Sequence, residues 1–359
     1  MEIVSKEFAD IYDKVREGGR LSAEEGLRLY RSNDVISLGF LANIIRERKN
    51  GNKAYFITNR HINYSNICAN RCRFCAFSRS AGDDGAYTMS IDEIMEKARA
   101  VKDNRVKEFH IVGGLHPELP FSYYLTMLRS LKSEFPDVHI QAFTAVEIKH
   151  LTAIANLSVR DTLKELHNAG LGSLPGGGAE VFSPRVRNLL CDEKTSGNVW
   201  LDVMREAHML GLRSNATMLY GHVETNEEKI EHLIKLRELQ DETGGFLAFI
   251  PLAFHPENTD LKTFAYTTGI DDLKELAVAR LMLDNFPHIK AFWIMIGLKL
   301  AQVSLSFGVD DIDGTVVEEK ITHSAGARTG QFVSREELMA IIKEAGREPV
   351  ERDTLYNCV

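Results

Sequence analysis

The sequence predicts an α/β fold, a (β/α)8 barrel with helical extensions at both ends, on three observations. Eight short runs rich in apolar and β-branched residues recur along the chain, at 61–67, 109–114, 139–144, 172–176, 214–219, 247–252, 290–295 and 303–307. Amphipathic helical stretches at 91–101, 162–169, 201–210, 229–240 and 273–283 separate most of them, and such alternation favours a parallel sheet. The stretch from Tyr55 to Asp311 has the length usual for an eight-fold TIM-type barrel, roughly 250 residues.

Taken in order, residues 1–54 carry a helical pattern and form the N-terminal extension. Within them Ser22 and Glu25 stand at capping-box spacing, where a hydroxyl and a carboxylate satisfy the free N–H groups of a helix start. The same device recurs at Ser90/Glu93, Thr225/Glu228 and Ser334/Glu337. The boxes at Ser90 and Thr225 each follow a strand-like run by a loop, as strand-loop-helix units require. Residues 55–311 make the barrel, and 312–359 a C-terminal extension packing on it. The last connection, between 290–295 and 303–307, is the weakest part of the pattern. A doubly wound open sheet competes with the barrel, but no G-x-G-x-x-G fingerprint follows a strand.

Composition narrows the function classes. With 359 residues and 44% apolar side chains the chain buries a large core without disulfides or a structural metal, so any metal site is expected to be functional. A formal net charge of -8 argues against a nucleic-acid partner, whose phosphates call for clustered Lys and Arg, and favours a small-molecule substrate. The longest apolar stretches, 246–254 and 291–298, are too short to span a bilayer, and no signal segment opens the sequence; a cytoplasmic protein with no membrane partner is expected. Three of the five cysteines fall within eight residues, a pattern of metal binding in a reducing compartment. Cys191 and Cys358 read as incidental.

The triplet is Cys68, Cys72 and Cys75, spaced C-x3-C-x2-C directly after the first predicted strand. Three thiolates on so short a loop each take one iron of a cubane and leave the fourth iron without a protein ligand. An open coordination position binds and activates a co-substrate, whereas a fully ligated cluster only passes electrons. A zinc site, with His61 or His110 as fourth ligand, and an electron-carrying or sensing cluster are the competing readings. Arg71, Arg73 and Arg79 crowd the same loop, either offsetting thiolate charge or as solvated surface.

This spacing, with the aromatic Phe74 just before the third cysteine, resembles the radical S-adenosylmethionine (SAM) superfamily. The resemblance implies a 4Fe-4S cluster and SAM, consumed as co-substrate, which chelates the open iron and yields a 5′-deoxyadenosyl radical inside a closed, dry barrel. It also implies roles around SAM. Gly113 and Gly114, ending the second strand, stand where members carry a Gly-Gly-Glu motif for the methionine amino group; Leu115 replaces the acid, so backbone contacts have to suffice. Glu180, at the end of Leu-Pro-Gly-Gly-Gly-Ala-Glu180, with Ser183, Arg185 and Arg187 behind it, matches groups that meet the ribose or carboxylate. Glu147 is a further ribose candidate.

Polar residues at the C-terminal ends of barrel strands point into the reaction site. Here they are Asn215, Thr217, Tyr220 and His222 on or just beyond the fifth strand, His255 and Asn258 beyond the sixth, and Asp310 and Asp311 beyond the eighth. The segments Phe-Thr-Ala-Val-Glu147, Asn215-Ala-Thr-Met-Leu-Tyr-Gly-His222, Ile250-Pro-Leu-Ala-Phe-His-Pro-Glu-Asn-Thr259 and Gly308-Val-Asp-Asp-Ile-Asp-Gly-Thr315 resemble the aminodeoxyfutalosine synthase family of the futalosine route to menaquinone. Sister families, the cyclic dehypoxanthine futalosine and deazaflavin-forming synthases, tend to have Trp and Gln in place of Leu252 and His255, and Asn-Asp in place of Asp310-Asp311. The resemblance implies an enolpyruvyl benzoate ether as substrate, a flavodoxin or ferredoxin as electron donor, and Arg79, Asn215, Thr217, Tyr220, His255, Asp310 and Asp311 as substrate-binding candidates.

Overall fold

The computed structural model describes residues 4–100 and 105–359. Its parallel strands are β1 (Lys53–Ile57), β2 (Asn59–Ile62), β3 (Glu108–Ile111), β4 (His139–Ala142), β5 (Ser173–Leu174), β6 (Arg213–Tyr220), β7 (Phe246–Ala253), β8 (His288–Ile289), β9 (Asp311–Gly314) and β10 (Glu348–Glu351). Strands β2 to β8 pair in sequence order in one curled sheet, and β10, β1 and β9 make a second. The two are one wall. Strands β1 and β2 are consecutive stretches of chain broken at Thr58, and a single bridge, Lys290 to Asp311, links the β8 edge to β9. Helices lie outside, their apolar stripes buried against the outward faces of the strands in one continuous core. Among the described residues no helix is long and apolar enough to cross a membrane.

The α/β barrel class is as the sequence predicts; the eighth strand is not. Residues 303–307 fall in and just beyond the helix Leu298–Ser304, where Ala301 and Leu305 are buried and Val303 points outward. A four-residue period in a short apolar run is helical, and strand and helix are hard to separate over so few residues. The eighth place in the wall belongs to β9 instead. The seventh run also starts earlier than predicted: β8 ends at Ile289, and Trp293–Ile296 turns helical so that the Trp293 indole donates to Gly314 O at 2.9 Å.

Closed capping boxes form at Ser22/Glu25, Ser90/Glu93 and Thr225/Glu228, whereas Ser334 accepts from Glu337 N without the return bond. The helix after Ser90 is described over Ile91–Arg99, and residue 101, where its predicted range ends, lies outside the described residues. The N-terminal extension folds as helices Ala9–Glu17, Ala23–Arg31 and Val35–Asn50.

Candidate active site

After β2 the chain enters the cysteine loop, whose backbone is tied down on several sides. Cys68 N donates to Arg79 O (3.1 Å), Ala69 N to Leu115 O (2.9 Å), Arg73 N to Leu190 O (2.9 Å), and Cys75 N closes a turn on Cys72 O (3.0 Å). These bonds hold the loop against the exit of β3 and the helix Pro184–Leu190. Gly113 and Gly114 make that contact possible. A β-carbon on Gly113 would lie 2.7 Å from the Tyr64 ring, and one on Gly114 2.2 Å from Ile67 O. The close approach expected of this glycine pair is therefore to the cysteine loop itself.

Cys68, Cys72 and Cys75 are half-buried and line a cavity of about 330 Å³ at the C-terminal mouth of the barrel. Leu115 N donates to Cys68 Sγ at 3.3 Å, the kind of N–H···S bond that tunes an iron-sulfur centre. Burial pushes the Cys68 and Cys75 thiols up from their ordinary values, so cluster assembly has to release their protons. Among the described residues no three His, Cys, Asp or Glu side chains converge on a single metal-ion position. That disfavours a one-ion zinc site, and His61 and His110 stack on each other at 4.5 Å without joining the thiols in such a group. Three thiols on one cavity wall, with an N–H donor at one of them, fit a cubane that takes one sulfur at each of three irons.

Behind the thiols is a group with no local sequence signal. The Lys194 ammonium meets Glu180 Oε1 at 2.5 Å and lies 5.3 Å over the Phe74 ring. Its charge acts on both Cys72 and Cys191. Cys191 is buried, and its thiol is close enough to Cys72 for each to perturb the other's ionisation, so it is adjacent to the site and not incidental in position. Glu180 has φ +49°, a left-handed backbone uncommon for a residue with a side chain, which aims its carboxylate at Lys194. Glu147 is fully engaged within the protein: one oxygen accepts from Tyr64 Oη (2.9 Å) and Gly113 N (3.1 Å), the other from Thr144 N and Oγ1 (2.8 and 2.9 Å). Burial raises its pKa against those hydrogen bonds.

Of the predicted site residues, the cavity brings together Cys68, Cys72, Cys75, Phe74, Gly113, Gly114, Glu147, Glu180, Asn215, Thr217 and His255. The others lie elsewhere. Ser183 Oγ and Arg185 Nε both donate to Glu228, at 2.6 and 2.9 Å, and Arg187 donates to Ala179 O at 2.8 Å. Arg79 turns back on the carbonyls of Ala76 and Ser78, both at 2.9 Å. Tyr220 Oη donates to Asp272 at 2.7 Å, His222 Nε2 to Leu219 O at 2.8 Å, and Asn258 Nδ2 to Ser324 O at 3.1 Å. The expectation for Asp310 and Asp311 is corrected most sharply, because they open β9 and do not follow it. Asp310 is buried against Arg280 and His288, and Asp311 against Arg352 (2.6 Å) and Tyr356 (2.6 Å). They hold the far end of the barrel shut.

Further cavity residues come from the strands themselves: His61, His110, Gln141, Lys290 and Asp313. Their signal was present in period-two alternation, since His110 sits between the outward-facing, buried Phe109 and Ile111. Barrel interiors are usually filled by branched apolar residues, so a polar inner layer here makes room for a polar ligand.

The sequence pattern of the radical SAM superfamily matches residues 62–236, and that of the CofH/MqnC C-terminal region matches 243–359. An aminodeoxyfutalosine synthase of Thermus thermophilus is 51% identical over 350 residues, covering 96% of this chain and 94% of that protein. A 5-amino-6-(D-ribitylamino)uracil–L-tyrosine 4-hydroxyphenyl transferase of Methanopyrus kandleri is 42% identical, covering 86% of this chain and 85% of its own. The crystal structure of methylornithine synthase superposes with a TM-score of 0.75 at 19% identity, over 94% of this chain and 97% of the other, which is a likeness of fold. The thiol loop on its barrel mouth and these similarities agree: the chain belongs to the radical SAM superfamily and, within it, to the aminodeoxyfutalosine synthase family.

Proposed function

We propose that this protein joins the 5′-deoxyadenosyl group of SAM to 3-[(1-carboxyvinyl)oxy]benzoate, giving 6-amino-6-deoxyfutalosine for menaquinone synthesis. The observation that carries the reading is the three-thiol loop opening on a cavity floored with polar strand residues, in a chain of this family. Cys68, Cys72 and Cys75 would hold the cluster, which when bound supplies the electron that splits SAM into methionine and a 5′-deoxyadenosyl radical. An electron donor such as flavodoxin or ferredoxin would reload it.

In the reaction proposed, the carbon radical adds to the vinyl CH2, leaving a radical flanked by an ether oxygen and a carboxylate. That centre bonds to the ring carbon bearing the ether as the aryl C–O bond breaks, moving the unpaired electron to oxygen. Loss of carbon dioxide and of one electron, which the oxidised form of the electron donor would accept, leaves the aryl ketone. The chain's part is positioning. Phe74, Gly113, Gly114, Glu180 and Lys194 surround the space next to the thiols, where SAM has to sit, and Asn215, Thr217 and His255 face the remaining space. Glu147 positions the Gly113 turn. Holding the alkene beside the 5′ carbon selects addition over stray hydrogen abstraction.

An anaerobic assay with SAM and the enolpyruvyl benzoate, read by product mass, tests this directly. The expected product retains the adenosine carbons of SAM, and Cys72→Ala abolishes both brown chromophore and turnover. The similarity to the hydroxyphenyl transferase supports a second reading, a hydrogen-abstracting sister reaction. Free 5′-deoxyadenosine as the stoichiometric product would favour it.

A further inference from the structure

The deepest part of the cavity contains polar atoms that the protein itself leaves without partners. His61 is 6% exposed, and its Nε2 has no hydrogen-bond partner while the residue lines the cavity. A buried polar atom left unpaired is costly, and a bound hydrogen-bonding group would remove that cost. Beside it, the Lys290 ammonium donates to Asp313 Oδ1 at 3.0 Å, and among the described residues its other two N–H groups have no partner. Burial disfavours protonation of His61 most, His110 and then Lys290 add to it, and Glu108 opposes it. With burial favouring the neutral ring, His61 offers an unpartnered Nε2 to the cavity, and the Nε2–H tautomer is the one that donates there.

Planar surfaces flank these donors. The His61 ring is parallel to His110 (4.5 Å, 14°) and to Phe292 (6.5 Å, 4°). Depth is set by the strands. His110 is level with His61 in the β2–β3 register and precedes Gly113, the turn against the cysteine loop, by three residues, roughly 10 Å along a strand.

We infer that His61 Nε2 and Lys290 Nζ form a carboxylate-binding floor that takes the aromatic acid of the substrate, the stacked His61, His110 and Phe292 rings holding the Nε2 edge in place. This inference rests on the substrate reading above and adds an orientation to it. The benzoate carboxylate sits deepest and the enolpyruvyl group stands toward the cysteine loop. The floor therefore presents the alkene, and not the ring, to the radical.

The test is binding and turnover with two ligands, the enolpyruvyl benzoate and 2-phenoxyacrylate, which lacks only the ring carboxylate. His61→Phe keeps the planar face and removes the donor; Lys290→Met removes the ammonium. Each variant should lose at least tenfold in affinity for the full substrate, measured by anaerobic calorimetry on the reconstituted enzyme without SAM, and change little for the phenoxyacrylate. In the reconstituted enzyme KM should rise and uncoupled 5′-deoxyadenosine should increase, while the electron spin resonance change on adding SAM persists and certifies the fold. Equal losses for both ligands, or none for either, would overturn the floor assignment and leave the reaction standing. Failure of the unmutated enzyme to bind or convert the enolpyruvyl benzoate would overturn the reaction and the floor together.

Discussion

Gly114 and Ile67 are packed so closely that a β-carbon on the glycine would lie 2.2 Å from the Ile67 carbonyl oxygen and 2.7 Å from its carbon. Backbone atoms on both sides leave no flexible group to yield. Gly114→Ala should therefore shift the cysteine loop, costing roughly 1–3 kcal/mol of stability as overpacking does. Iron content after anaerobic reconstitution should fall severalfold while helical circular dichroism is retained. Full iron loading in the variant would contradict the role given to this contact.

Lys194 and Glu180 form a buried pair, their side chains 13% and 9% exposed. Removing one partner of such a pair leaves an uncompensated charge, typically about 3–5 kcal/mol. Lys194→Met should lower the melting temperature markedly, and Lys194→Met combined with Glu180→Gln should recover much of the loss. Additive losses in this cycle, measured by chemical denaturation, would show that the pair is not coupled.

The buried Cys191 thiol interacts with Cys72, which makes it the cysteine placed to compete as a fourth ligand. The proposed open iron requires that it does not. Cys191→Ala should keep the cluster, its iron content and its spectral response to SAM. Loss of iron in this variant would favour a fully ligated electron carrier.

The stretch over the cavity mouth carries a titrating pair. Hydrogen bonding to Glu319, at 3.1 Å from Nδ1 to Oε2, raises His323 from 6.5 to about 8. A raised folded-state value means the protonated pair stabilises fully below about pH 6.5, and that contribution is lost as the pH rises through about 8. Its size is about 1 kcal/mol once solvent screening is allowed for. Stability measured at pH 6.5 and 9 should therefore drop, and His323→Gln should flatten that difference. Glu319, Ile321 and Thr322 line the cavity, so substrate affinity should weaken over the same range.

Much of this was legible in local sequence. The thiol loop is legible because all three ligands lie within eight residues, Asn215 and Thr217 because alternate residues of a barrel strand face inward, and His255 because strand ends face one mouth. What was not legible depends on distant chain. Lys194 has no motif around it, and only the left-handed turn at Glu180 brings the two together. Asp310 and Asp311 read as a strand-end pair until β9 starts at Asp311, which sends both toward Arg280 and Arg352. Val303 and its neighbours misled because a short apolar run carries no decisive period. His61 and His110 were visible only as alternative fourth ligands beside the thiols; the polar floor emerges only once β2 and β3 are in register.

The wall of the barrel is completed by pairings between remote parts of the chain: Lys53 with Glu348, Tyr55 with Asp311. Long-range parallel pairing of this kind is slow to form, because a large loop has to close before any contact repays it. On the ribosome the thiol loop therefore emerges long before the strands that seal the cylinder around it. In the finished cylinder the three thiols are half-buried on the cavity wall, so a cluster assembled after folding has to enter through the cavity mouth.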